Sequence, residues 1–527
     1  FSPSAPVPGA GQNVQVTPDH AEDRVIVRYN PASIPAGNQS MGMESLNEEI
    51  GASVVEDFSG AGMPGMQVVQ VQNPEDAISE YLNDPRVLYA EPDYVISLSP
   101  ADMNASESVV SSSGYTLAAT PNDPYYSLEW GLHNTGQSPY FGTADADIDA
   151  PGAWDTTTGA SSVVVAVVDT GVDYTHPDLS SNIWANPGEI AGNGKDDDGN
   201  GYIDDVRGWN FYAGTNDPMD NNGHGTHCAG IISATGNNGL GIAGTSWTSR
   251  IMPLKFLSSS GKGSTSGAIS AILYASRMGA HVISNSWGGT QSSQSLKEAI
   301  EASSAVVVCA AGNGGNNTDV SPVYPASYSS GNIISVGASD YTDKLASFSN
   351  YGPSSVDLVA PGLVITSTYP SKKYVSLSGT SMAVPFVSGA AVLVKAVHPS
   401  YSNIQIKSKI LDSVDAISSL KGKILTGGRL NAANAIASTT SDPVSGGLSA
   451  SFSASPVTGK KPLTTLFTDL SSGKVTKWSW NFGDGGRAYT RNPRHVYYRK
   501  GTFTVTLTVS NLTAKSTCSK QKYITVT

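Results

Sequence analysis

Cysteine is scarce in this chain of 527 residues. Only three are present, Cys228, Cys309 and Cys518, and they are scattered along the sequence. Isolated thiols in this number cannot build the disulfide framework that holds small secreted domains together. The cysteine count therefore excludes a disulfide-stapled fold and leaves the redox compartment undecided.

Charged residues and long apolar runs are also scarce. Asp, Glu, Lys and Arg make up 14% of the chain, and the formal net charge is −13. This acidic balance argues against nucleic acid or an anionic membrane as a partner, and it fits a secreted protein or one that gathers cations. The longest apolar runs, 163–168 and 305–311, are too short to cross a bilayer and have the length of buried strands. We expect no transmembrane segment and a monomeric chain.

The beginning of the chain shows no secretory signal. Phe1 opens a Ser/Pro/Gly-rich stretch that has neither a charged start nor an apolar core. A signal could have been removed before the numbering begins, so the sequence remains compatible with secretion.

Residue patterns predict a small domain near the N-terminus. After a polar tail at 1–22, residues 23–98 read strand, helix, strand, strand, helix, strand, which is the order of a ferredoxin-like α+β domain. Residues 99–121 are Ser/Ala-rich and aperiodic, as in an exposed linker that can be cleaved.

Two further domains are predicted after this linker. Residues 122–438 alternate continuous Val/Ile runs with helical patterns, which predicts an α/β fold with a parallel sheet covered by helices on both faces. Ligands of such folds bind at the carboxyl ends of the strands. A second linker at 439–449 leads to residues 450–527, whose short alternating strands predict an immunoglobulin-like β-sandwich.

The segment GTSMAVPFVSGAAVL, residues 379–393, raises the question of what Ser381 does. A serine ahead of an apolar run is commonly a helix cap. Pro385 favours a helix that begins within a residue or two of Ser381, because proline fits the first turn of a helix. The run up to Val397 predicts a helix buried on all sides. Since the positive end of a helix also attracts anions, cap and nucleophile both remain open until a base is found.

Three junctions between strand and loop carry polar residues that a hydrolase needs. Asp169 ends the run VVVAVVD, His224 lies in the turn NGHGTHCAG, and Asn313 follows VVVCAAG. Each alone is weak evidence, because such an Asp is commonly a turn residue and a single His is commonly structural. Together with Ser381, in the order Asp, His, Ser at the mouth of one sheet, they form a specific pattern for nucleophilic catalysis.

At these residues the sequence resembles the subtilisin-like serine proteases. The matching blocks are VVDTGVDYTHPDL, NNGHGTHCAG, AAGN and SGTSMAVPFVSGAAVL, and the resemblance spans 122–438. It implies a subtilisin-like fold and a serine endopeptidase in which Asp169 orients His224 and His224 takes the proton of Ser381. The side-chain amide of Asn313 and the backbone N–H of Ser381 are then the donors to the oxyanion.

Other residues of these blocks receive structural interpretations. His227 is expected to pack structurally and His176 to serve a turn, while Phe386 stands where the family often has a histidine. Cys228 lies four residues after His224, and thus on the same face if the segment is helical. It is either a small buried hydrophobe or a thiol close to the catalytic residues.

The resemblance also implies where a substrate binds. An extended peptide should add as a strand between two glycine-containing segments, although an ordinary loop explains these glycines as well. A smaller residue is common among relatives at the position of Val323, which implies a shallower pocket for the side chain before the scissile bond. The expected residues are Gly261, Lys262, Gly263, Ser286, Trp287 and Gly288 for the strand, and Ala310, Ala311, Gly312 and Val323 for the pocket.

Calcium is the predicted cofactor, in more than one structural site. The segment KDDDGNGYIDD has the 1, 3, 5, 6, 7 and 9 spacing of an EF-hand-like loop, but position 12 is Arg207, and a solvated acidic turn is the alternative. The resemblance implies a second site and a weaker third at Asp340. The expected ligands are Asp196, Asp198, Asn200, Tyr202 and Asp204 in the loop, and Asp123, Asp178, Asn238, Leu240 and Ile242 in the second site.

The N-terminal region resembles the propeptides of subtilases. Such propeptides assist folding and inhibit the enzyme by laying their last strand, here YAEPDYVISL, through the active site. Autocleavage is then expected between Leu98 and Asn122. The chain would be a secreted or cell-surface zymogen that acts on proteins.

The C-terminal region resembles a PKD domain. Trp480, Asp484 and Tyr497 are interpreted as core and turn residues, and the domain is either a spacer or a binder of insoluble protein or cell-surface material.

A rival function for the chain is that of a surface adhesion or structural protein with an inert protease-like domain. It gains support from the C-terminal domain and from the sequons at Asn38, Asn104, Asn316 and Asn511. The intact catalytic positions oppose that rival.

Overall fold

The computed structural model describes residues 20–30, 39–99, 120–437, 450–471, 475, 477–510 and 515–527. They form two compact units, which divide after Ala437. Most of the polar tail, most of the first linker, the whole of the second linker and the sequons at Asn38, Asn104 and Asn511 lie outside the described residues.

The N-terminal region forms the predicted ferredoxin-like domain. Its antiparallel sheet has the order β2-β3-β1-β4. Alternate residues of β1 point to opposite faces: Val25 and Val27 pack with the two helices, whereas Ile26 packs against the central region. The elements are β1 (His20–Tyr29), α1 (Gln39–Ile50), β2 (Ser53–Asp57), β3 (Met66–Gln70), α2 (Pro74–Asn83) and β4 (Val87–Ser97).

The central region contains the predicted parallel sheet, in a sheet of nine strands with the order β15-β16-β12-β11-β10-β9-β5-β7-β6. All pairs in it are parallel except the edge pair β15–β16. Its elements are α3 (Ala150–Trp154), β5 (Val164–Asp169), β6 (Trp209–Asn210), α4 (His224–Ser233), β7 (Arg250–Lys255), β8 (Lys262–Ser264), α5 (Thr265–Arg277), β9 (Val282–Asn285), α6 (Gln294–Ala302), β10 (Val306–Ala310), β11 (Ile333–Ser339), β12 (Leu358–Pro361), β13 (Ile365–Tyr369), β14 (Lys373–Leu377), α7 (Thr380–Val397), α8 (Asn403–Leu411), β15 (Asp415–Ala416), β16 (Gly428–Arg429) and α9 (Ala432–Ile436).

Both faces of this sheet are buried, as the continuous apolar runs predict. On β10, Val306 and Val308 belong to the core that contains α4 and α7, whereas Val307 and Cys309 belong to the core that contains α5 and α6. The chain order changes direction at β5, which has β7 on one side and β9 on the other. In open α/β sheets the crevice at such a switch point is the usual ligand site.

Helix α7 begins at Thr380, so the expected start within a residue or two of Ser381 is confirmed. The expectation that Pro385 lies in the first turn is wrong, because the proline lies inside the helix. The carbonyl of Ser381, which Pro385 cannot bond because it has no N–H, accepts from the hydroxyl of Ser286 at 2.9 Å and from the thiol of Cys228 at 3.6 Å. These two donors make the proline tolerable there.

By length and composition α7 could cross a membrane, but 83% of its apolar window is buried inside the protein. This burial is that of the central helix of a folded domain, as the sequence predicts.

The C-terminal unit is a β-sandwich of a three-stranded sheet, β17-β19-β22, and a five-stranded sheet, β18-β24-β23-β20-β21. Trp480 and Tyr497 are fully buried in its core, and the carboxylate of Asp484 accepts from Gly486 in a turn. The strands are β17 (Phe452–Ser455), β18 (Thr458–Gly459), β19 (Leu463–Asp469), β20 (Lys477–Asn481), β21 (Arg487–Ala488), β22 (Arg494–Tyr497), β23 (Gly501–Ser510) and β24 (Lys515–Val526).

Candidate active site

Asp169 and His224 are hydrogen-bonded at the carboxyl edge of the sheet. Asp169 is the last residue of β5 and His224 the first of α4, and both are buried. The Nδ1 atom of His224 lies 2.8 Å from Oδ1 of Asp169, which also accepts the backbone N–H of Thr170 at 2.7 Å. A carboxylate in this position holds the imidazole in the tautomer that leaves Nε2 able to accept a proton.

The turn before His224 is organised by Asp220. Its Oδ1 accepts the backbone N–H groups of Asn222 and Gly223, and its Oδ2 accepts the backbone N–H and the hydroxyl of Thr226. Burial raises the pKa of this carboxyl, and the hydrogen bonds oppose the rise. A carboxylate at this point satisfies donors that the first turn of α4 would otherwise leave unpaired. No motif in the sequence identifies Asp220 as a residue of the site.

Glycine is required directly after His224. A Cβ atom on Gly225 would lie 2.1 Å from the carbonyl oxygen of Gly171 and 3.2 Å from Cβ of Asp169. The helix can therefore approach the end of β5 closely enough for the aspartate and histidine to meet only because no side chain stands between them.

Ser381 lies in the first turn of α7 and is 2% exposed. Its hydroxyl donates to the backbone carbonyl of Ser286 at 3.0 Å, and the hydroxyl of Ser286 returns a bond to the carbonyl of Ser381 at 2.9 Å. This reciprocal pair ties the start of α7 to the loop after β9. Gly379, the residue before the helix, supplies no side-chain cap.

Asn313 is held from the residue that precedes Ser381. Its Oδ1 accepts both the backbone N–H and the hydroxyl of Thr380, at 2.8 and 3.0 Å. The Thr380 hydroxyl also accepts the backbone N–H of Gly312 at 3.1 Å. The structure thus brings the predicted oxyanion donor to the start of α7, and Thr380 is a residue that no spacing pattern had identified.

Cys228 lies next to these residues. Its Sγ, the imidazole of His224 and the carboxylate of Asp169 offer atoms that all lie within 4.8 Å of one another. Cys228 is also 1% exposed, so it is both a small buried residue and a thiol close to the proposed catalytic residues.

His227 has a structural environment. Its Nε2 lies against the carbonyls of Ile365 and Val375, and burial lowers its pKa to about 3. It is a neutral structural residue at ordinary pH.

The last strand of the N-terminal domain lies in the predicted substrate position. β4 pairs antiparallel with β8, with Ile96 opposite Gly263, and the backbone N–H of Leu98 donates to the carbonyl of Gly261 at 2.9 Å. On the other side of β4, its last residue, Ser97, forms an antiparallel bridge with Gly288. An extended segment is therefore held between the two glycine-containing segments, as β-augmentation requires.

The residues predicted for the substrate strand and for the pocket do not all face one space. A Cβ on Gly288 would lie 2.9 Å from Cγ1 of Val323, and one on Gly312 would lie 3.5 Å from Cγ2, so Val323 stands between these two segments. Trp287 turns inward, where its indole N–H donates to the carbonyl of Val168 at 2.8 Å. Ala311 packs into a separate apolar cluster. Trp287 and Ala311 can therefore line the site with their backbones but not with their side chains.

The acidic loop brings together a different set of carboxylates from the one that its spacing suggested. Asp198 converges with Glu189 and Asp205, with one oxygen of each within 4.8 Å of the others. Asp204 instead accepts the backbone N–H groups of Asn193 and Gly194. The spacing of the motif could not identify Glu189, which lies before the loop, or Asp205, which directly follows position 9 of the loop.

Two other predicted loop ligands have local partners. Asp196 accepts the backbone N–H groups of Asn200 and Gly201 at 3.0 and 2.7 Å. The ring of Tyr202 packs against Trp209 and Tyr274, with ring centroids 5.0 and 5.2 Å away, so only its carbonyl remains for a cation.

The residues of the second predicted metal site lie together. The side chain of Asn238 donates to Asp178 at 2.8 Å, and its backbone N–H donates to Asp123 at 3.1 Å. Asn238 also accepts the N–H of Leu240, while Asp178 accepts the N–H of Ile242. Burial raises the pKa of both aspartates, which is the effect that a bound cation would reverse.

Asp340 lies apart from both groups. Its Oδ1 accepts the backbone N–H and hydroxyl of Thr342 and the N–H of Lys344, which is a turn motif. His176 likewise serves a turn, where its Nδ1 accepts the backbone N–H of Asp178 at 3.2 Å.

Comparison with protein families gives three matches along the chain. Residues 160–449 match the profile described as the subtilase family. Residues 7–93 match the fervidolysin N-terminal prodomain, and residues 441–526 match the PKD domain.

Known proteins with similar sequences include several proteases. A thermophilic serine proteinase from Bacillus sp. (strain AK1) is 38% identical over 74% of this chain and 82% of its own length. Thermitase from Thermoactinomyces vulgaris is 42% identical over 60% of this chain and 99% of its own length. Among solved structures, a protease from Pseudoalteromonas arctica PAMC 21717 is 28% identical and superimposes with a TM-score of 0.51 over 60% of this chain and 98% of that one.

Proposed function

The chain belongs to the subtilase family of serine proteases, and we propose that it is a secreted endopeptidase that cleaves proteins with Ser381 as nucleophile, His224 as general base and Asp169 as the group that orients the base. The observation that carries the proposal is the buried 2.8 Å contact between Nδ1 of His224 and Asp169 at the switch point of the sheet, beside the start of the helix that bears Ser381.

The chemistry follows from these positions. When a peptide carbonyl enters, His224 takes the hydroxyl proton as Oγ of Ser381 attacks the carbonyl carbon, and a tetrahedral oxyanion forms. The amide of Asn313 and the backbone N–H of Ser381, at the positive end of α7, donate to that oxyanion. His224 then returns the proton to the leaving amine, and water releases the acyl group from Ser381 by the reverse sequence.

The N-terminal domain is proposed to be the inhibitory propeptide of this enzyme. Its last strand pairs with β8 and bridges to Gly288, where a substrate strand is proposed to lie, and two of its carboxylates bind the starts of helices in the central region. Glu91 accepts the N–H groups of Gln294 and Ser295 at the start of α6, at 2.9 and 3.0 Å. Asp93 accepts the N–H and hydroxyl of Ser266 at the start of α5, at 2.8 and 2.6 Å. Each carboxylate meets the positive end of a helix.

Processing between Leu98 and Asn122 would leave this inhibitor bound without a covalent link. We propose the domain boundaries 23–98, 122–438 and 450–527 for inhibitor, peptidase and PKD domain, and an extracellular, monomeric enzyme. The PKD domain would be a spacer or a binder of insoluble protein.

Structural calcium is proposed at two places. Glu189, Asp198 and Asp205 offer converging carboxylates, which are the ligands that calcium prefers. The buried pair Asp123 and Asp178, whose negative charge is otherwise disfavoured by burial, would hold a second ion together with Asn238 and the carbonyls of Leu240 and Ile242. Calcium there would stabilise the fold and take no part in bond cleavage.

Casein hydrolysis by the expressed chain tests the proposal. The wild-type chain should mature and release acid-soluble peptides, whereas Ser381→Ala should remain a full-length precursor without activity. N-terminal sequencing of the matured protein locates the cleavage site. If the wild type releases nothing under conditions in which its inhibitor domain is removed, the chain is an inert relative, and the adhesion function replaces this one.

A further inference from the structure

Lys255 is a buried cation at the level of the proposed catalytic aspartate. It ends β7 and is the register partner of Asp169 at the end of β5, and it is 3% exposed. Lysine is rarely buried to this degree unless its ammonium group has partners. None of the steps of acyl transfer described above uses it.

The ammonium group joins the two segments that carry Asp169 and His224. It donates to the carbonyl of Thr170, the residue directly after Asp169, and to the side-chain oxygen of Asn221 at 3.0 Å. Asn221 belongs to the turn before α4, and the next residue, Asn222, accepts the backbone N–H of His224 at 3.1 Å. One side chain thus spans the end of β5 and the start of α4.

Thr170 completes this connection from the other side. Its hydroxyl accepts the backbone N–H of Gly225 at 2.9 Å, and its own N–H donates to the carboxylate of Asp169. The carbonyl held by Lys255 therefore belongs to a residue that contacts both Asp169 and the first turn of α4. Displacing that carbonyl would displace both partners of the contact between His224 and Asp169.

The charge around Lys255 is unbalanced in favour of acids. Burial lowers the pKa of its ammonium group, and the negative charges of Asp220, Asp169 and Asp217 oppose this effect. The charged or titratable groups around this segment are Asp169 from β5, Asp220, which holds the turn before His224, and His227 and Cys228 from α4. The thiol of Cys228 also contacts the carbonyl of Ser381 on α7. Lys255 adds a positive charge beside Asp169 and Asp220, the two acids that hold His224 and its turn.

We propose that Lys255 is a positioning residue for the reaction: it fixes the distance between Asp169 and His224 and, by its charge, partly offsets the field of the acids around the imidazole. This inference rests on the proposed function, since it assumes that His224 is the base. Without the ammonium group the imidazolium should be favoured more strongly by its acidic neighbours, because the opposing positive charge is gone.

The test is the pH dependence of kcat/KM on a peptide substrate for three variants. Lys255→Met removes the charge and both bonds, and its acid limb should move to higher pH by about half a unit, with kcat lowered about tenfold. Lys255→Arg keeps the charge, and its acid limb should stay at the wild-type pH. Asn221→Ala removes one bond but leaves the ammonium, so kcat should fall while the limb stays in place.

Lys407→Met is the matched control. Lys407 is a partly buried lysine of the central region, and it donates to the carbonyl of Ile333 and to Asp357 at 3.1 Å. Its removal should cost stability without moving the acid limb. If Lys255→Met lowers Tm as Lys407→Met does and leaves the limb at the wild-type pH, Lys255 is only structural and the inference is wrong.

The inference remains testable if the Lys255→Met variant does not fold. If Lys255→Met yields no mature enzyme, Lys255→Arg and Asn221→Ala still decide it, because an unchanged kcat in Asn221→Ala would contradict the positioning role. A wild-type chain without activity would overturn the proposed function instead, so the two failures can be told apart.

Discussion

Thr380 holds the side-chain oxygen of Asn313 at two points, with its backbone N–H at 2.8 Å and its hydroxyl at 3.0 Å. An amide whose oxygen is occupied twice can turn only its NH₂ group toward a ligand. Because Thr380 directly precedes Ser381 in the chain, the group that fixes the orientation of Asn313 moves together with the proposed nucleophile.

Replacement of Asn313 tests this arrangement. Asn313→Leu should lower kcat on the order of 100- to 1000-fold with little change in KM, because the lost donor acts on the charge that develops in the transition state. Thr380→Val removes one of the two bonds to the amide oxygen and should lower kcat up to about tenfold. Thr366→Val, which removes a buried hydroxyl bonded to Ser376 at 3.0 Å, is the control. Equal kcat values in all variants would show that Asn313 is not an oxyanion donor.

The sequence predicted the scaffold of this site better than its supporting contacts. Asp169 and Asn313 follow continuous apolar runs, and such runs fix both the burial of a strand and the edge at which it ends. The start of α7 was equally predictable. The place of Pro385 was not, because its compatibility with the helix depends on donors from Ser286 and Cys228 that are distant in sequence.

Metal ligation shows the same limit. Spacing within the acidic loop identified Asp198, but folding turns Asp204 toward backbone N–H groups and brings in Glu189 and Asp205. A spacing rule assumes that the loop closes on itself. Here a residue upstream and a buried residue at the end of the loop converge, which only the tertiary structure determines.

Mercurial sensitivity is predicted from Cys228. Its Sγ lies 3.6 Å from the carbonyl of Ser381, so a mercury atom on the thiol would displace the residues around it. An organomercurial should inactivate the wild type, and Cys228→Ser should abolish this sensitivity. Cys309→Ser should remain sensitive, although Cys309 is buried just as fully, because it belongs to the core on the opposite face of the sheet. A wild type indifferent to mercurials contradicts the prediction.

Glu56 should make the stability of the precursor depend on pH. Burial, together with the nearby charge of Asp93, raises its pKa to about 7, although the hydroxyl of Ser270 and the charge of Arg24 oppose the rise. A carboxyl whose pKa is raised on folding stabilises the folded state below its unfolded pKa, and this stabilisation is lost as the pH rises through about 7.

The measurement compares Tm at pH 5 and pH 8 in unprocessed chains that carry Ser381→Ala. Glutamine resembles protonated glutamate, so Glu56→Gln should raise Tm at pH 8 and change it little at pH 5. Glu48→Gln, at an exposed position of α1, should have no effect at either pH. An equal shift at both values for Glu56→Gln would show that the carboxyl does not titrate in this range.

Removal of calcium should destabilise the mature enzyme. Ions that bind only the folded state raise its unfolding free energy by an amount that grows with their concentration, so a chelator should lower Tm. The combined change of Asp198→Asn and Asp205→Asn should remove part of this effect, and Asp178→Asn another part. The two parts should add, since the groups share no ligand. Without any shift of the wild-type Tm in chelator, neither calcium site exists.

Val323 is predicted to limit the side chain accepted before the scissile bond. Its two methyl groups approach the positions of Gly288 and Gly312, so truncation to alanine should open space between these segments. The ratio of kcat/KM for a substrate with phenylalanine at this position to that for one with alanine should rise roughly tenfold in Val323→Ala, because the aromatic side chain gains buried area. Val320→Ala, at a residue of the same loop that is 78% exposed, should leave the ratio unchanged. A ratio that stays constant in both variants would place the pocket elsewhere, since a wall that limits side-chain size must alter the preference when it is removed.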